Sequence, residues 1–116
     1  MDPNRIIGEN DLAYTVHDGY PVTELHALII PKKHAESYFD LTDLERDACY
    51  QLMEQFKEVI ETEDPAVTGF NIGINNGESA GQTIFHCHIH LIPRRDGDTD
   101  NPRGGVRGVI PSKQSY

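Results

Sequence analysis

The apolar positions of the chain recur in runs of two distinct periods. Leu12–His17 (LAYTVH) mixes aromatic and β-branched residues and predicts a strand, closed by the turn signal Asp18-Gly19-Tyr20-Pro21. His26–Pro31 (HALIIP) predicts a second, more apolar strand that stops at its proline. Leu44, Ala48, Leu52, Phe56 and Ile60 then repeat every four residues, with Met53 and Val59 beside them. That spacing predicts one amphipathic helix of roughly five turns. Thr42 and Glu45 supply a capping box at its start, and Asp64-Pro65 stop it. Gly69–Asn75 alternates again, Asn76–Gly81 is turn-forming, and Thr83–Ile92 (TIFHCHIHLI) is the strongest strand pattern of all. Beyond it, DGDTDNPRGG reads as loop, and Val106–Ile110 suits one more short strand. The order of elements implies an α+β domain, an antiparallel sheet with one long helix packed on it.

Length and composition fit this picture. A chain of 116 residues with 37% hydrophobic and 25% charged residues suits one domain over 1–116, in which 101–116 forms an extended tail. No apolar run approaches the roughly 20 residues that cross a bilayer, and the opening MDPNRIIGEN lacks a leader's pattern, so a cytoplasmic location without membrane partners is expected. Cys49 and Cys87 form no CxxC pattern and read as small buried hydrophobes. The net charge of −9 argues against nucleic acid as a partner. That charge is uneven: residues 91–116 hold five Lys/Arg and three Asp, so they carry +2 and leave −11 on residues 1–90. Basic residues close behind a histidine row suit a small anionic substrate, although a solvated tail has the same composition.

The row itself is the main candidate for chemistry. In HCHIHLI, His86, His88 and His90 fall at period two and would project from one face of a strand, with Cys87, Ile89 and Leu91 on the other. Three uses compete. Hydrogen-bonded structural histidines are the bland one, and strict alternation of three counts against it. Zinc is the second. Same-face neighbours on a strand lie about 6.6 Å apart and the outer pair about 13 Å apart, so two imidazoles converge on one ion but three hardly do. Phosphoryl or nucleotidyl transfer is the third, and it employs every member. A neutral imidazole is a good nucleophile near pH 7, flanking rings can donate to phosphate oxygens, and a covalent intermediate splits one hard displacement into two. Gly81-Gln82-Thr83 precedes the row. Thr83 would face away from the histidines in a regular strand, while Gly81 permits close approach of backbone N–H groups to an anion. GxGxxG and Walker patterns are absent from the sequence.

GQTIFHCHIHLI resembles the signature of the histidine-triad family of nucleotide hydrolases and transferases, and HDGYPVTELHALIIPKKH resembles that family's second block. The two agree in order and span about Leu12 to Arg95. The resemblance implies a five-stranded antiparallel sheet per subunit, paired across a homodimer into one continuous sheet. It implies that His88 attacks the α-phosphate of a nucleotide, that His90 hydrogen-bonds the phosphate and helps the leaving group depart, and that His86 supports the nucleophile. His26 matches a fourth histidine from another strand. Asp18, with His17 beside it, matches the residue that binds the ribose hydroxyls. Asn75 and Thr83, with Gln82 adjacent, match positions at the scissile phosphate. The resemblance also implies no metal and no cofactor in the site, although a substrate nucleotide can carry Mg.

His34 reads as a structural anchor, and Lys32 and Lys33 as solvated. The chain departs from the family pattern in lacking an N-terminal helix and a zinc-binding cysteine pair, and in placing Leu25 where a small residue usually precedes the fourth histidine. Its tail resembles those of bacterial members described as diadenosine polyphosphate hydrolases. The first expectation is therefore a hydrolase that releases a nucleoside monophosphate from a dinucleoside polyphosphate, with Arg103 and Arg107 near the second phosphate arm. Cleavage of P–N bonds at the same site is the alternative, and a nucleotide-binding regulator with incidental turnover is the alternative of another class.

Overall fold

The computed structural model describes residues 3–116; the first two residues of the segment read for a leader lie outside it. Five strands form one antiparallel sheet: β1 (Ile6–Glu9), β2 (Ala13–His17), β3 (Ala27–Pro31), β4 (Val67–Gly73) and β5 (Ile89–Arg95), in the order β1-β2-β3-β5-β4. One long helix, α1 (Asp43–Glu63), packs on one face, chiefly across β2 and β3. Short 3-10 turns complete the chain. The expected fold class is the observed one.

The helix starts where its capping box lies. The Thr42 hydroxyl accepts from the Glu45 amide at 3.2 Å and the Glu45 carboxylate accepts from the Thr42 amide at 2.7 Å, which satisfies two of the four orphan donors of a helix start. Its buried stripe is Glu45, Ala48, Cys49, Leu52, Phe56 and Ile60. Leu44, which the four-residue repeat includes, is 71% exposed. The reason is geometric: each four-residue step advances about 40° round a helix of 3.6 residues per turn, so a long period-four series slides off the buried face. Val59 is exposed for a related reason, and Cys49 takes its share of the stripe. Leu52, Phe56 and Ile60 then meet Ala27, Ile29, Ile89 and Leu91 in the core.

β1 has no counterpart in the sequence reading. It pairs with β2 through a bulge between Ile6 and Gly8. A Cβ on Gly8 would lie 2.5 Å from the Phe56 ring, so the edge strand approaches the helix only because that position lacks a side chain. Both cysteines are free and buried, and burial pushes the Cys49 thiol up to about 11. Among the described residues no helix is long and apolar enough to cross a membrane.

Two expected strands are corrected. The pattern over Thr83–Ile92 yields a strand only from Ile89 onwards, because its neighbours run out there. β3 pairs with β5 no further than Ile29↔Ile89, and β4 ends opposite His90 at Gly73. Residues 83–88 are held instead by the loop after β3, through the Cys87 amide donating to the Ala35 carbonyl at 2.7 Å. Alternation nevertheless persists in burial: Cys87, Ile89 and Leu91 are buried while His86, His88 and His90 are half-buried. Val106–Ile110 is the second correction. Gly104 and Gly105, at φ 91° and 46°, turn the chain through left-handed conformations, and Gly105–Val109 forms a 3-10 turn in place of a strand.

Candidate functional site

Three elements bring the imidazoles together. β5 carries His90, the approach to β5 carries His86 and His88, and the residue before β3 is His26. Leu28 of β3 lies directly opposite His90, so His26, two residues earlier, shares that face of the sheet. The expectation that all three histidines of the row stand on one strand face therefore holds for His90 alone; the other two stand on a looped segment, where the His88 ring packs against His90 and the His86 ring against His34.

The hydrogen bonds assign each ring a role. The Val22 amide N–H donates to Nδ1 of His26 at 3.1 Å. That nitrogen must carry a lone pair, so the ring proton of neutral His26 sits on Nε2. His26 Nε2–H in turn donates to Nδ1 of His90 at 2.9 Å. His90 accepts there, and its own proton is forced onto Nε2. His88 is set the other way: its Nδ1–H donates to the His86 carbonyl at 2.9 Å, which leaves the Nε2 lone pair free. His86 donates from Nε2 to the Pro31 carbonyl at 2.8 Å and thereby fixes the looped segment to the end of β3. The rings of His88 and His90 stand edge to face, 5.2 Å apart. A free lone pair on His88 thus lies beside a fixed N–H of His90.

Burial keeps the relay neutral. His26 is pushed below the usual histidine range by desolvation, which Asp18 partly opposes. His90 is lowered by desolvation first, then by His88 and His26, again against Asp18. Asp18 Oδ2 lies 3.4 Å from His26 Nε2 and 3.9 Å from His90 Nδ1. Its other oxygen accepts from the Tyr20 amide at 2.8 Å and so shapes the turn between β2 and β3. Leu25, the residue before His26, has φ 72°, a left-handed conformation that a leucine adopts only at a cost.

Asp18, His26 and His90 each present one donor atom within 4.8 Å of the others, and among the described residues these three are the candidate metal ligands. The tautomers argue against that use. A neutral histidine that ligates through Nε2 must carry its proton on Nδ1 and needs an acceptor there. Nδ1 of His26 faces the Val22 N–H, a donor. A hydrogen-bonded relay accounts for every proton in the cluster; an ion on Nε2 of His26 would set two donors, its Nδ1–H and the Val22 N–H, against each other.

The remaining candidates divide. Asn75 and Thr83 are exposed, and neither side chain has a hydrogen-bond partner among the described residues, so both are available to a ligand. Gln82 is buried and committed. It accepts from the Gly77 amide at 2.8 Å and donates to the Glu36 carbonyl at 2.8 Å, bracing the loop that precedes the row. His17 stands exposed at the end of β2, apart from the cluster. His34 is exposed with its ring 5.2 Å from that of His86. Lys32 pairs with Glu9 at 2.8 Å on the surface.

A cavity of about 760 Å³ opens beside His26, His90 and Asp18. Its floor is β4 and β5, its near wall is the Tyr20–Thr23 turn, and its far wall is the C-terminal tail at Gly105–Val109. The tail's part was not visible in the sequence, and neither was the structural part of Val22, which acts through its backbone. Arg94 and Asp98, which join across the cavity's rim, could have been found: they stand four residues apart with opposite charge.

Fold and site together define an α+β protein with a histidine cluster at one end of an antiparallel sheet. A HIT-domain model matches residues 1–97, and the chain belongs to the HIT-domain, or histidine-triad, family. It is 37% identical over 89 residues to a HIT-like protein of 16.1 kDa from Mycoplasma pneumoniae, which covers 76% of this chain but only 60% of that relative's own length. Among solved structures it is similar to the diadenosine triphosphate hydrolase of Plasmodium falciparum, with a TM-score of 0.80 and 28% identity over 87% of this chain and 68% of that one. It is also similar to a histidine triad nucleotide-binding protein from Candida albicans, with a TM-score of 0.73 and 31% identity over 82% and 68% of the two chains.

Proposed function

We propose that this chain hydrolyses a bond to the α-phosphorus of a nucleotide through a covalent nucleotidyl-His88 intermediate. The observation that carries the reading is the pair of opposed tautomers at His88 and His90. His88 donates from Nδ1 to the His86 carbonyl and so offers Nε2 as a nucleophile. His90, with its proton fixed on Nε2 by the His26 contact at 2.9 Å, offers a donor beside it.

In the first step the His88 lone pair forms a bond to phosphorus, and the bond from phosphorus to the leaving group breaks. The ring of His88 becomes cationic, and its Nδ1–H bond to the His86 carbonyl strengthens as it does. His90 Nε2–H stabilises the charge on phosphorus oxygens and on the departing atom as a hydrogen-bond donor. It remains neutral throughout, since a second proton on Nδ1 would meet the His26 N–H. In the second step water attacks phosphorus, the N–P bond breaks, and the nucleoside monophosphate leaves with His88 restored. On this reading Asn75 and Thr83 contact phosphate oxygens, and Asp18 the ribose hydroxyls. Gln82 holds the loop that presents them. The opposed donors at His26 support a reaction without a metal in the cluster, although the nucleotide itself can arrive with Mg. A homodimer is part of the proposal: β4 is an edge strand of seven residues with Ile72 half exposed along it.

Two leaving groups are compatible with this chemistry: a polyphosphate departs as an anion, whereas the nitrogen of a P–N bond departs as an amine with its extra proton taken from water. The relative that acts on diadenosine triphosphate favours a dinucleoside polyphosphate. Cleavage of a P–N bond is favoured by the cavity beside His90, where among the described residues the one Lys or Arg, Arg94, is already paired with Asp98. The test is turnover of diadenosine tetraphosphate and adenosine phosphoramidate by wild type and His88→Ala. Loss of about 10⁴-fold or more in kcat for the variant, with a labelled nucleotide trapped on the wild-type chain, is expected. Activity that survives in His88→Ala removes the reading, and binding without turnover in wild type makes the chain a regulator.

A further inference from the structure

The tail after β5 is not a loose end. Gln114 lies against the 104–108 turn so closely that a Cβ on Gly104 would stand 1.8 Å from its carbonyl oxygen, and one on Gly108 2.7 Å from its side-chain oxygen. The guanidinium groups of Arg103 and Arg107 lie 4.8 Å and 4.9 Å from the centroid of the Tyr116 ring, which they sandwich as cation–π partners. Arg107 also donates to the Gln114 carbonyl at 3.3 Å. These contacts fold the tail on itself and present Val106 and Val109 outward.

Those two valines are 63% and 77% exposed, and both line the cavity beside His90. Val22, at 68%, lines the same cavity from the opposite wall. Exposed large apolar side chains normally scatter; three converging on one cleft mark a surface made for an apolar ligand. The charges of the lining point the same way. Among its described residues Arg94 is the one Lys or Arg, and its guanidinium is spent on both carboxylate oxygens of Asp98, each at 2.8 Å, and on Asn71. Asp18 adds a carboxylate. Nothing there attracts a second phosphate, and the Asp18 carboxylate repels one.

We infer that the folded tail is a specificity wall, with Val106 and Val109 receiving an uncharged apolar group carried on the phosphorus of the bound nucleotide, while Arg103 and Arg107 staple the wall and touch no substrate. This rests on the nucleotide reading above and replaces the expectation that the two arginines meet a second phosphate arm. It uses continuity: the cavity that the valines wall also contains His26, His90 and Asp18.

The test is binding by calorimetry of AMP, of its phenethyl phosphodiester and of diadenosine tetraphosphate. Wild type is compared with Val106→Asn/Val109→Asn and with Arg103→Ala/Arg107→Ala. Both valines are exposed, so the uncharged polar pair does not threaten folding. The phenethyl ester should bind wild type about tenfold or more tightly than AMP, the gain for burying a phenyl group's apolar surface. In the valine variant the ratio of the two affinities should fall towards one. A wild-type ratio near one, or a ratio that survives in the variant, overturns the wall while AMP binding keeps the nucleotide reading. A selective loss of tetraphosphate affinity in the arginine variant, with the ester's affinity kept, also overturns it. Failure of all three ligands to bind removes both.

Discussion

The main-chain N–H of Val22 lies 3.1 Å from Nδ1 of His26, so a backbone donor decides which nitrogen of that ring bears the proton. A side chain in that place could rotate or titrate. An amide can do neither. The choice passes through His26 to His90, whose outward Nε2–H is therefore a fixed feature of the fold.

Replacing His26 breaks the relay without touching phosphorus. His26→Gln can still donate to His90 through its amide, whereas His26→Ala leaves Nδ1 of His90 without a donor and frees the wrong tautomer. His26→Ala should lower kcat by about 10²-fold with a small change in KM, and His26→Gln should recover part of the loss. Nitrogen chemical shifts of His90 report the tautomer directly. An unchanged Nε2–H tautomer in His26→Ala would show that the relay does not set it.

Stability should fall on mild acidification. His26 and His90 are both held below the ordinary value of 6.5 by burial. The unfolded chain therefore takes up protons first as the pH drops through about 6.5, and folding must give up that binding. The sign follows: the contribution of the neutral pair is intact above 6.5 and shrinks from there downwards. Carboxylates that the fold holds low, such as Asp64 beside Arg95 and Asp98 beside Arg94, add a second decline only below about 4. Chemical denaturation between pH 7.5 and 5.5 should show the first decline, and His26→Gln should flatten it.

Leu25 offers a test of strain against packing. Its φ of 72° disfavours every residue with a Cβ, while its side chain packs partly buried against the core. Leu25→Ala loses the packing and keeps the strain; Leu25→Gly loses both. The glycine variant should therefore be the more stable of the two by on the order of 1 kcal/mol, which reverses the usual ranking. Urea midpoints of the pair settle it. If Leu25→Ala is the more stable, the left-handed turn is not strained.

Much of this was legible in advance because it rests on short-range rules. Thr42 and Glu45 announce a helix start wherever they precede an apolar repeat. Cys87, Ile89 and Leu91 alternate with histidines because one face must be dry. What stayed hidden depends on partners distant in sequence. Whether residues 83–88 join a ladder is decided by where β3 and β4 end. β1 is brief, and its key residue is a glycine whose virtue is to lack a side chain beneath Phe56. The valine wall depends on a turn that Gln114 and Tyr116 close from the far end. The histidines could be named as a set, but which nitrogen each leaves free follows from carbonyls and amides that no side-chain pattern encodes.

His90 sits within the ladder, opposite Leu28 on one side and Gly73 on the other, while His88 lies one residue outside it, tethered through a loop carbonyl. The two rings are therefore held by different means. His90, the proposed donor, takes its bearing from two neighbouring strands. His88, the proposed nucleophile, takes its bearing from a single loop carbonyl, so on this reading a change at the loop re-aims the attacking nitrogen and leaves the donor where it is.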